Sequence, residues 1–193
     1  VAMRPEFAER LQHAHARRIE AGLLRRLRAA GASRPGRIVL DGRERVDFGS
    51  NDYLGLAQHP RLVEALVAAA REGVGARASH LLGGHRDAHD ALERALAQWI
   101  GYPRALLFST GYMAATGTLS ALLGRHDLCV QDRLNHACLI DGARLAEASL
   151  QRYRHGDAAD AARLLAAQPE RRALLVSDSV FSMDGDVAPL AEL

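Results

Sequence analysis

Polar side chains that can bind a charged ligand or move a proton stand directly after four apolar runs of the sequence. They include hydroxyl, imidazole and carboxylate groups, and they occupy residues 109–112, 132–136, 155 and 177–184. Hydroxyls and carboxylates suit contacts to a polar ligand, and a histidine adds a nitrogen that titrates near neutral pH. Such residues are unusual beside apolar runs, so these four places are candidates for one binding or catalytic site.

The stretch LLFSTGYMAATG, residues 106–117, places a glycine where an apolar run gives way to helix-compatible residues. A helix that begins near Tyr112 offers unpaired N–H groups and the positive end of its dipole, and Gly111 lets a ligand approach the backbone closely. Such a start can bind an anion without a lysine. The alternative is a glycine that only permits the turn. The stretch alone favours that alternative, because most strand-to-helix turns bind nothing.

Two further motifs allow both a functional and a structural interpretation. His136, in DRLNHACLIDGARLA, offers a flat ring that can stack on a planar cofactor, or it caps a helix or packs in the core. Asn135 beside it is an expected helix cap in either case. Ser182, in SDSVFSMDGD, belongs to a group of hydroxyls and acids that suits ligand contacts, although a turn also selects Ser, Asp and Gly for backbone reasons.

The order of the elements predicts that these polar segments meet at one place. The strand candidates RALLFS, DLCVQD, SLQRYRH and RRALLVSDSV alternate with segments that suit crossover helices, namely residues 112–123, 136–146 and 157–168. A βαβ series of this kind predicts an α/β fold with a largely parallel sheet. In open α/β sheets, ligands bind beyond the carboxyl ends of the strands, which is where the polar segments lie.

The residues before this series predict helices and one hairpin. A helix is expected from about Glu6 to Ala30, and the pair Asp41-Gly42 between two strand-like runs predicts a β-hairpin. The stretch HPRLVEALVAAAREG predicts a helix that begins at Pro60. The stretch RDAHDALERALAQWIG predicts a second helix, capped by Asp87.

Composition and a change of pattern near Phe48 predict an N-terminal helix and hairpin segment, residues 1–47, and a large domain, residues 48–193. The chain is 48% hydrophobic and has no apolar run long enough to span a membrane, so a cytoplasmic protein is expected. A net charge of +2 is too small to indicate a nucleic-acid partner. Cys129 and Cys138 lack CxxC spacing and a cluster of metal ligands, so neither a disulfide nor a metal site is expected.

Five motifs taken together are similar to those of a known family. FGSNDYLGLAQHP, GARASHLLGGHRDAHDALE, LLFSTGYMAATG, DRLNHACLIDGARLA and SVFSMDGDVAPLAEL follow one another in this order. Their order and spacing resemble those of the α-oxoamine synthases, which are pyridoxal-phosphate enzymes of the aminotransferase type I fold. The resemblance extends over nearly the whole chain. It implies the large domain of a type I PLP-dependent transferase, incomplete at its C-terminus and preceded by an N-terminal helix and β-hairpin.

The motifs SHLLGGH and DGDVAPLAEL are most similar to the branch of this family that makes 8-amino-7-oxononanoate in biotin biosynthesis. That resemblance implies an acyltransferase that condenses L-alanine with a pimeloyl thioester, carried by coenzyme A or by an acyl carrier protein, with loss of carbon dioxide. It also implies a homodimer in which residues 75–80 reach the neighbouring subunit's site. Two alternatives stay open. One is another α-oxoamine synthase such as 2-amino-3-ketobutyrate CoA ligase, and the other is a non-catalytic fragment.

The resemblance also assigns site residues. Gly111 and Tyr112 stand where a glycine and an aromatic residue, more often Phe, hold the cofactor phosphate, and Ser182 stands where a serine contacts the cofactor. His136 matches the histidine that stacks on the pyridine ring, assists proton transfer and meets the substrate. Arg25 best matches an N-terminal arginine that binds the substrate, with its neighbour Arg26 as the alternative.

One residue type that the family requires does not occur in the sequence. The family forms a Schiff base between its cofactor and a lysine, whereas all 25 basic residues here are arginines. The resemblance therefore implies the N-terminal part of a longer enzyme, either truncated or split from its remainder. We expect the chain alone to be inactive.

Overall fold

The computed structural model describes residues 4–31 and 34–193. They form two compact units, the first ending at Ala76 and the second running from Arg77 to Leu193. The predicted domain division after residue 47 stays a prediction, and residues 1–3 and 32–33 of that segment lie outside the described residues. Over the described ranges, no helix combines the length and the apolar character needed to cross a bilayer.

The first unit contains two helices and a hairpin. Its elements in chain order are helix α1, strands β1 and β2, and helix α2, which span Pro5–Glu20, Arg37–Leu40, Arg43–Val46 and Pro60–Arg71. The strands pair antiparallel across Asp41 and Gly42, whose φ angles of 52° and 72° suit a two-residue hairpin turn. The predicted hairpin and the predicted helix at Pro60 are confirmed.

The helix predicted to run to Ala30 ends much earlier, at the end of α1. Gly22 takes a left-handed φ of 66°, and its N–H donates to the Ile19 carbonyl at 3.0 Å. The N–H of Leu23 donates to the Arg18 carbonyl at 2.8 Å. These two bonds form a Schellman motif, which ends a helix at a glycine. The prediction was wrong because it assigned the stop to a later glycine.

The second unit is built on a three-stranded parallel sheet. After a 3-10 turn at His80–Leu82, its elements are α3, α4, β3, α5, β4, α6 and β5. They span Asp87–Ile100, Gly111–Leu122, Leu128–Asp132, Ala137–Leu145, Ser149–Tyr153, Ala158–Ala166 and Ala173–Val176. The strand order is β4-β3-β5, and β3 runs parallel to both neighbours. The predicted α/β fold with a parallel sheet is therefore confirmed.

The core lies on both faces of β3, whose five residues are all buried. Successive side chains of a strand point to opposite faces. On one face, Cys129 packs with Leu119 of α4, with Leu123 directly after α4 and with Ala143 of α5. On the other face, Leu128 and Val130 pack with Tyr153 and Ala161. Burial on both faces explains why this strand is an unbroken apolar run in the sequence until its last two residues.

The run RALLFS, residues 104–109, forms no strand. Within the described residues, no strand pairs with it, and Leu106 is 81% exposed. The N–H of Leu107 donates to Glu93 Oε1 at 2.8 Å and not to a ladder. The predicted strand was wrong here because a ladder requires a partner, which local residue preferences do not supply.

Helix α3 begins at Asp87, which is therefore its first residue and not its cap. Arg86 is the N-cap, and its backbone N–H donates to His89 Nδ1 at 3.0 Å. The prediction of the cap was wrong by one position. Acids in the first turn, here Asp87 and Asp90, are favoured by the positive end of the helix dipole.

Replacing Gly142 by Ala tests the close approach of α5 to α4. A Cβ at this position would lie 2.8 Å from Leu119 Cδ1 and 3.2 Å from the Ala115 carbonyl oxygen. We expect Gly142→Ala to lower the free energy of unfolding by about 1–3 kcal/mol, the usual cost of overpacking, even though alanine favours a helix. Denaturant unfolding measures the change.

Gly124→Ala is the matched control, because a Cβ there would meet only Asp127 Oδ2 at 3.7 Å. An unfolding midpoint that is equal or higher in Gly142→Ala would show that α4 and α5 lie further apart than described.

Candidate functional site

The carboxyl ends of three parallel strands meet at one edge of the sheet, which we call the carboxyl edge. Asp132, Tyr153 and Val176 end β3, β4 and β5, and the registers of the strands align these ends. The polar segments that follow the strands therefore begin at the same edge. Helix α4 also begins there, because it leads through a short loop into the opposite end of β3.

Helix α4 presents backbone N–H groups without partners at the carboxyl edge. Its cap is Thr110, whose Oγ1 accepts from the Met113 N–H at 3.1 Å and whose carbonyl accepts from the Ala114 N–H at 3.0 Å. Within the described residues, the N–H groups of Gly111 and Tyr112 donate no hydrogen bond. A Cβ built on Gly111 would meet nothing within 4 Å, so the approach is open. Such N–H groups, together with the helix dipole, suit an anion such as phosphate.

The side chain of Tyr112 is half exposed and connects α4 to α5. Its hydroxyl donates to Asp141 Oδ2 at 3.2 Å. This hydrogen bond and the charge of Asp141 raise the pKa of Tyr112 above its ordinary value, so the ring stays a neutral phenol at physiological pH. The hydroxyl that distinguishes this residue from Phe therefore has a partner of its own.

His136 caps α5 and keeps its ring exposed. Its Nδ1 accepts from the Cys138 N–H at 3.2 Å and lies 3.0 Å from Cys138 Sγ, and its backbone N–H donates to Asp178 Oδ2 at 2.7 Å. Because Nδ1 accepts, the proton of the neutral ring is on Nε2, which the cap does not use. The capping role and the functional role predicted for His136 are therefore compatible.

Asn135 is not the helix cap that was predicted. It is 6% exposed, its Nδ2 donates to the Val176 carbonyl at 2.9 Å, and its Oδ1 accepts from the Asp178 N–H at 2.9 Å. A buried amide requires internal partners, and the end of β5 supplies them. These bonds hold the residues after β5 beside the start of α5.

Ser182 lies in an exposed turn after β5, residues 180–187, which we call the Ser182 turn. A bridge between its end residues closes the turn, and the Phe181 N–H donates to the Asp186 carbonyl at 2.9 Å. Within the described part of the chain, no hydrogen bond joins Ser182 to the start of α4 or to His136. The structure thus places Ser182 in the segment that follows the carboxyl edge, without direct contact to the other candidates.

A histidine between two carboxylates joins the Ser182 turn to β3. His155 Nδ1 lies 2.9 Å from Asp132 Oδ1, and its Nε2 lies 2.8 Å from Asp186 Oδ2. The hydrogen bond to Asp132 raises the pKa of His155 above its usual value, and Asp186 adds to this effect while burial opposes it. Sequence reasoning includes Asp132 and His155 among the candidates, and Asp186 ends the motif SDSVFSMDGD, but no local pattern predicts that His155 and Asp186 are partners.

Three histidines and two acids form a further cluster near the start of α3. The ring centroids of His80, His85 and His89 lie 4.6 to 5.6 Å apart. His85, Asp90 and Glu93 each bring one potential metal-ligand atom within 4.8 Å of the others. Both acids already accept a hydrogen bond from a protein donor. Sequence spacing does not reveal this cluster, and the expectation of no metal stays a prediction.

Arg25 and Arg26 lie in the first unit, in the irregular segment that follows α1, and both are exposed. Their predicted contact with a substrate stays a prediction. The same is true of the predicted approach of residues 75–80 to a neighbouring subunit.

Comparison with known proteins gives a family and close relatives. The model of the family "Aminotransferase class I and II" matches residues 43–193. The 8-amino-7-oxononanoate synthases of Nitrosospira multiformis and Nitrosomonas eutropha are 58% and 50% identical over 158 and 192 residues. These alignments cover 81% and 99% of this chain but 40% and 49% of the relatives. The chain thus spans less than half the length of these curated relatives.

Solved structures share the fold. Serine palmitoyltransferase from Sphingomonas wittichii matches with a TM-score of 0.85 and 31% identity, over 100% of this chain and 49% of that chain. A structure of SPT with PLP matches with a TM-score of 0.84 and 30% identity, over 94% and 47% of the two chains. 8-Amino-7-oxononanoate synthase from Francisella tularensis matches with a TM-score of 0.63 and 31% identity, over 76% and 40%.

The family match covers most of the chain, including every element that forms the carboxyl edge. The solved relatives match at least 94% of this chain with TM-scores of 0.84–0.85, so the predicted type I fold is confirmed. The chain therefore belongs to the aminotransferase class I and II family.

Proposed function

We propose that the chain is the cofactor-binding part of an 8-amino-7-oxononanoate synthase. The observation that carries this proposal is the open start of α4, where two N–H groups lack partners, at the same sheet edge as the exposed ring of His136. The identities of 50–58% to proteins of that name support it. The proposed reaction joins L-alanine and a pimeloyl thioester, and yields 8-amino-7-oxononanoate, carbon dioxide and the free thiol carrier.

The residues at the carboxyl edge fit the phosphate and the ring of pyridoxal phosphate. The start of α4 offers N–H donors to an anion, Gly111 leaves room for it, and His136 offers a flat ring at the same edge of the sheet. Bound pyridoxal phosphate supplies an electron sink for carbanion chemistry. The amine that the family uses to hold the aldehyde is not among these 193 residues, because none is a lysine. We therefore assign to this chain the binding and orientation of the cofactor.

Each proposed site residue acts through a defined group. The N–H groups of Gly111 and Tyr112 bind phosphate oxygens, and the hydrogen bond from Tyr112 to Asp141 fixes the first turn of α4 against α5. The ring of His136, held through Nδ1 by the cap, presents a face for stacking and a proton on Nε2 for transfer. The hydroxyl of Ser182 is an exposed donor and acceptor for the cofactor.

The substrates and the assembly belong to the same proposal. Arg25, or its neighbour Arg26, binds the carboxylate of a substrate through its guanidinium group. The active form is a homodimer in which residues 75–80 reach the partner's site, and the acyl carrier is either coenzyme A or an acyl carrier protein.

A second α-oxoamine synthase activity is the competing function. The serine palmitoyltransferase from Sphingomonas wittichii matches with a higher TM-score than the 8-amino-7-oxononanoate synthase from Francisella tularensis, 0.85 against 0.63. The two functions are distinguished by identifying the product that the natural polypeptide, purified from the cell, forms from each pair of substrates. We expect product from L-alanine with a pimeloyl thioester. Product only from glycine with acetyl-CoA, or from serine with palmitoyl-CoA, would contradict the proposal, and no product from any pair would favour a non-catalytic fragment.

Replacing Gly111 by Pro removes one N–H donor of the proposed phosphate site. Proline is well tolerated at the first position of a helix, and Thr110 before it is already extended, with φ −148° and ψ 154°. We expect the dissociation constant for pyridoxal phosphate to rise about tenfold, since one hydrogen bond to a charged group is lost. Calorimetry or absorbance titration measures it.

Gly111→Ala is the control, because it keeps the N–H and its Cβ has open space around it. Pyridoxal without phosphate should bind equally to all three proteins. If Gly111→Pro binds pyridoxal phosphate as tightly as Gly111→Ala does, the phosphate is held elsewhere.

Replacing His136 by Asn separates its cap from its chemistry. Asn is a good N-cap, so the unfolding midpoint should change little, whereas the stacking ring and its proton are lost. In the complete, lysine-containing enzyme that the proposal implies, we expect product formation from L-alanine and a pimeloyl thioester to fall by about 10²–10⁴-fold, the usual contribution of a general acid or base. Turnover within a factor of two of the unmodified protein would remove His136 from the reaction.

A further inference from the structure

Both ring nitrogens of His155 face carboxylate oxygens. Nδ1 lies 2.9 Å from Asp132 Oδ1 and Nε2 lies 2.8 Å from Asp186 Oδ2. A neutral imidazole has one N–H, so one of these contacts would then place a nitrogen lone pair against an oxygen lone pair. An imidazolium has two donors and satisfies both. When both carboxylates are ionised, the charged ring is the form that satisfies both contacts, through two charge-assisted hydrogen bonds.

Asp132 is a rigid anchor for this ring. It ends the central strand β3 and is 0% exposed. Its Oδ1 also accepts from the Leu134 N–H at 2.8 Å, and its Oδ2 accepts from the Gly156 N–H at 3.0 Å. With two backbone donors and one ring nitrogen, this carboxylate is fixed in place by the backbone on both sides.

Asp186 connects the His155 ring, which Asp132 holds, to the Ser182 turn. Among the described residues, His155 is the one polar partner of its side chain, because Oδ1 is buried without a hydrogen bond. Its carbonyl accepts from the Phe181 N–H at 2.9 Å, which closes the turn. The ring of Phe181, 2% exposed, packs edge-on against His155 with centroids 4.5 Å apart. His155 thus holds the turn by charge on one side and by ring packing on the other.

We propose that His155 is a positioning residue that, as an imidazolium between Asp132 and Asp186, holds the Ser182 turn in its place beside the ligand site. The proposal rests on the proposed function for the identity of that ligand. Among the described residues, no hydrogen bond joins His155 to Ser182 or to the start of α4, and it acts on the site through Asp186 and Phe181.

The other charged groups on the elements around His155 are engaged elsewhere. On α6, Asp160 pairs with Arg154 and Arg163. After β5, Asp178 accepts from the His136 N–H. Asp132 and Asp186 are the two charges that act on the ring, and both raise the pKa of His155.

The stabilisation that His155 gives to the Ser182 turn should therefore weaken as the pH rises. A histidine whose pKa is raised on folding stabilises the fold fully below its unfolded pKa of about 6.5, and this contribution is lost as pH rises through the higher folded pKa. We expect the effect of removing His155 to be largest below about pH 6.5 and to fall, as pH rises, to the part that its ring packing against Phe181 contributes.

Nitrogen-detected NMR of the histidine rings tests the charge state directly, on the polypeptide as the cell makes it. In the unmodified protein, His155 should keep both ring nitrogens protonated at pH values above the ordinary histidine pKa of about 6.5. Asp186→Asn keeps an acceptor but removes a charge, so His155 should then titrate at lower pH. A His155 ring that is already neutral at about pH 6.5 would overturn the proposal.

Hydrogen exchange and ligand binding test the positioning role. In His155→Gln, the amides of Phe181 and Ala188 should exchange about tenfold faster below pH 6.5, while those of β3 stay protected. The affinity for pyridoxal phosphate should fall by a similar factor. His126→Gln is the matched control and should change neither quantity. Unchanged exchange in His155→Gln, or faster exchange with unchanged affinity, would overturn the role.

Failure of the proposed function gives a different result. In that case the unmodified protein binds no pyridoxal phosphate, although the His155 ring is charged and the Ser182 turn exchanges faster in His155→Gln. This result would support the connection between β3 and the turn through His155, and it would show that the proposed ligand is wrong.

Discussion

The structure of the second unit depends on one constraint, which is that β3 is buried on both faces and paired in parallel on both sides. All five of its residues are buried, and β4 and β5 follow its direction. Parallel neighbours cannot be joined by tight turns, so each connection returns through a helix to the opposite end of the sheet. The residues that follow each strand then collect at one edge. The candidate site is therefore a consequence of topology, assembled from segments that are distant in the sequence.

Buried polar groups fix the conformation at both ends of β3. At the carboxyl edge, Asp132 accepts two backbone N–H groups and meets His155. At the other end, Asp127 is 4% exposed and binds the Arg172 guanidinium at 3.0 Å and the Gly124 N–H at 2.8 Å. A carboxylate removed from water is costly unless it is paired, so each acid admits few arrangements of its neighbouring loop. Buried, paired carboxylates therefore fix the loops at the carboxyl edge and at the opposite edge of the sheet.

Elements whose signal is local could be predicted from the sequence. The alternation of strand candidates with helical segments predicted β3, β4 and β5, and a proline at the first helical position predicted the start of α2. The helix predicted to end near Ala30 shows the limit, because Gly22 and Gly31 are both glycines and only the backbone bonds at Gly22 identify the stop. The residues of RALLFS favour a strand, but a strand forms only where a second strand pairs with it, and the sequence of the run does not show whether such a partner exists.

The same limit applies to the candidate site. Tyr112, His136 and Ser182 could be named because short motifs surround them, although their roles stay predictions. The pairing of His155 with Asp186 joins residues that are 31 positions apart, and neither residue carries a local mark of the other. Asn135 was expected to cap a helix, but the fold buries its amide against β5. Contacts between distant segments determine the roles of these residues, and a local sequence pattern does not show such contacts.

The central claim is that the start of α4 and the ring of His136 form one cofactor site at the carboxyl edge. A crystal structure of the polypeptide as the cell makes it, grown with pyridoxal phosphate, tests this claim most directly. The account predicts phosphate oxygens at hydrogen-bond distance, about 2.7–3.2 Å, from the backbone nitrogens of Gly111 and Tyr112, with the pyridine ring stacked on His136. A phosphate bound away from these nitrogens, or a pyridine ring that does not contact His136, would contradict it.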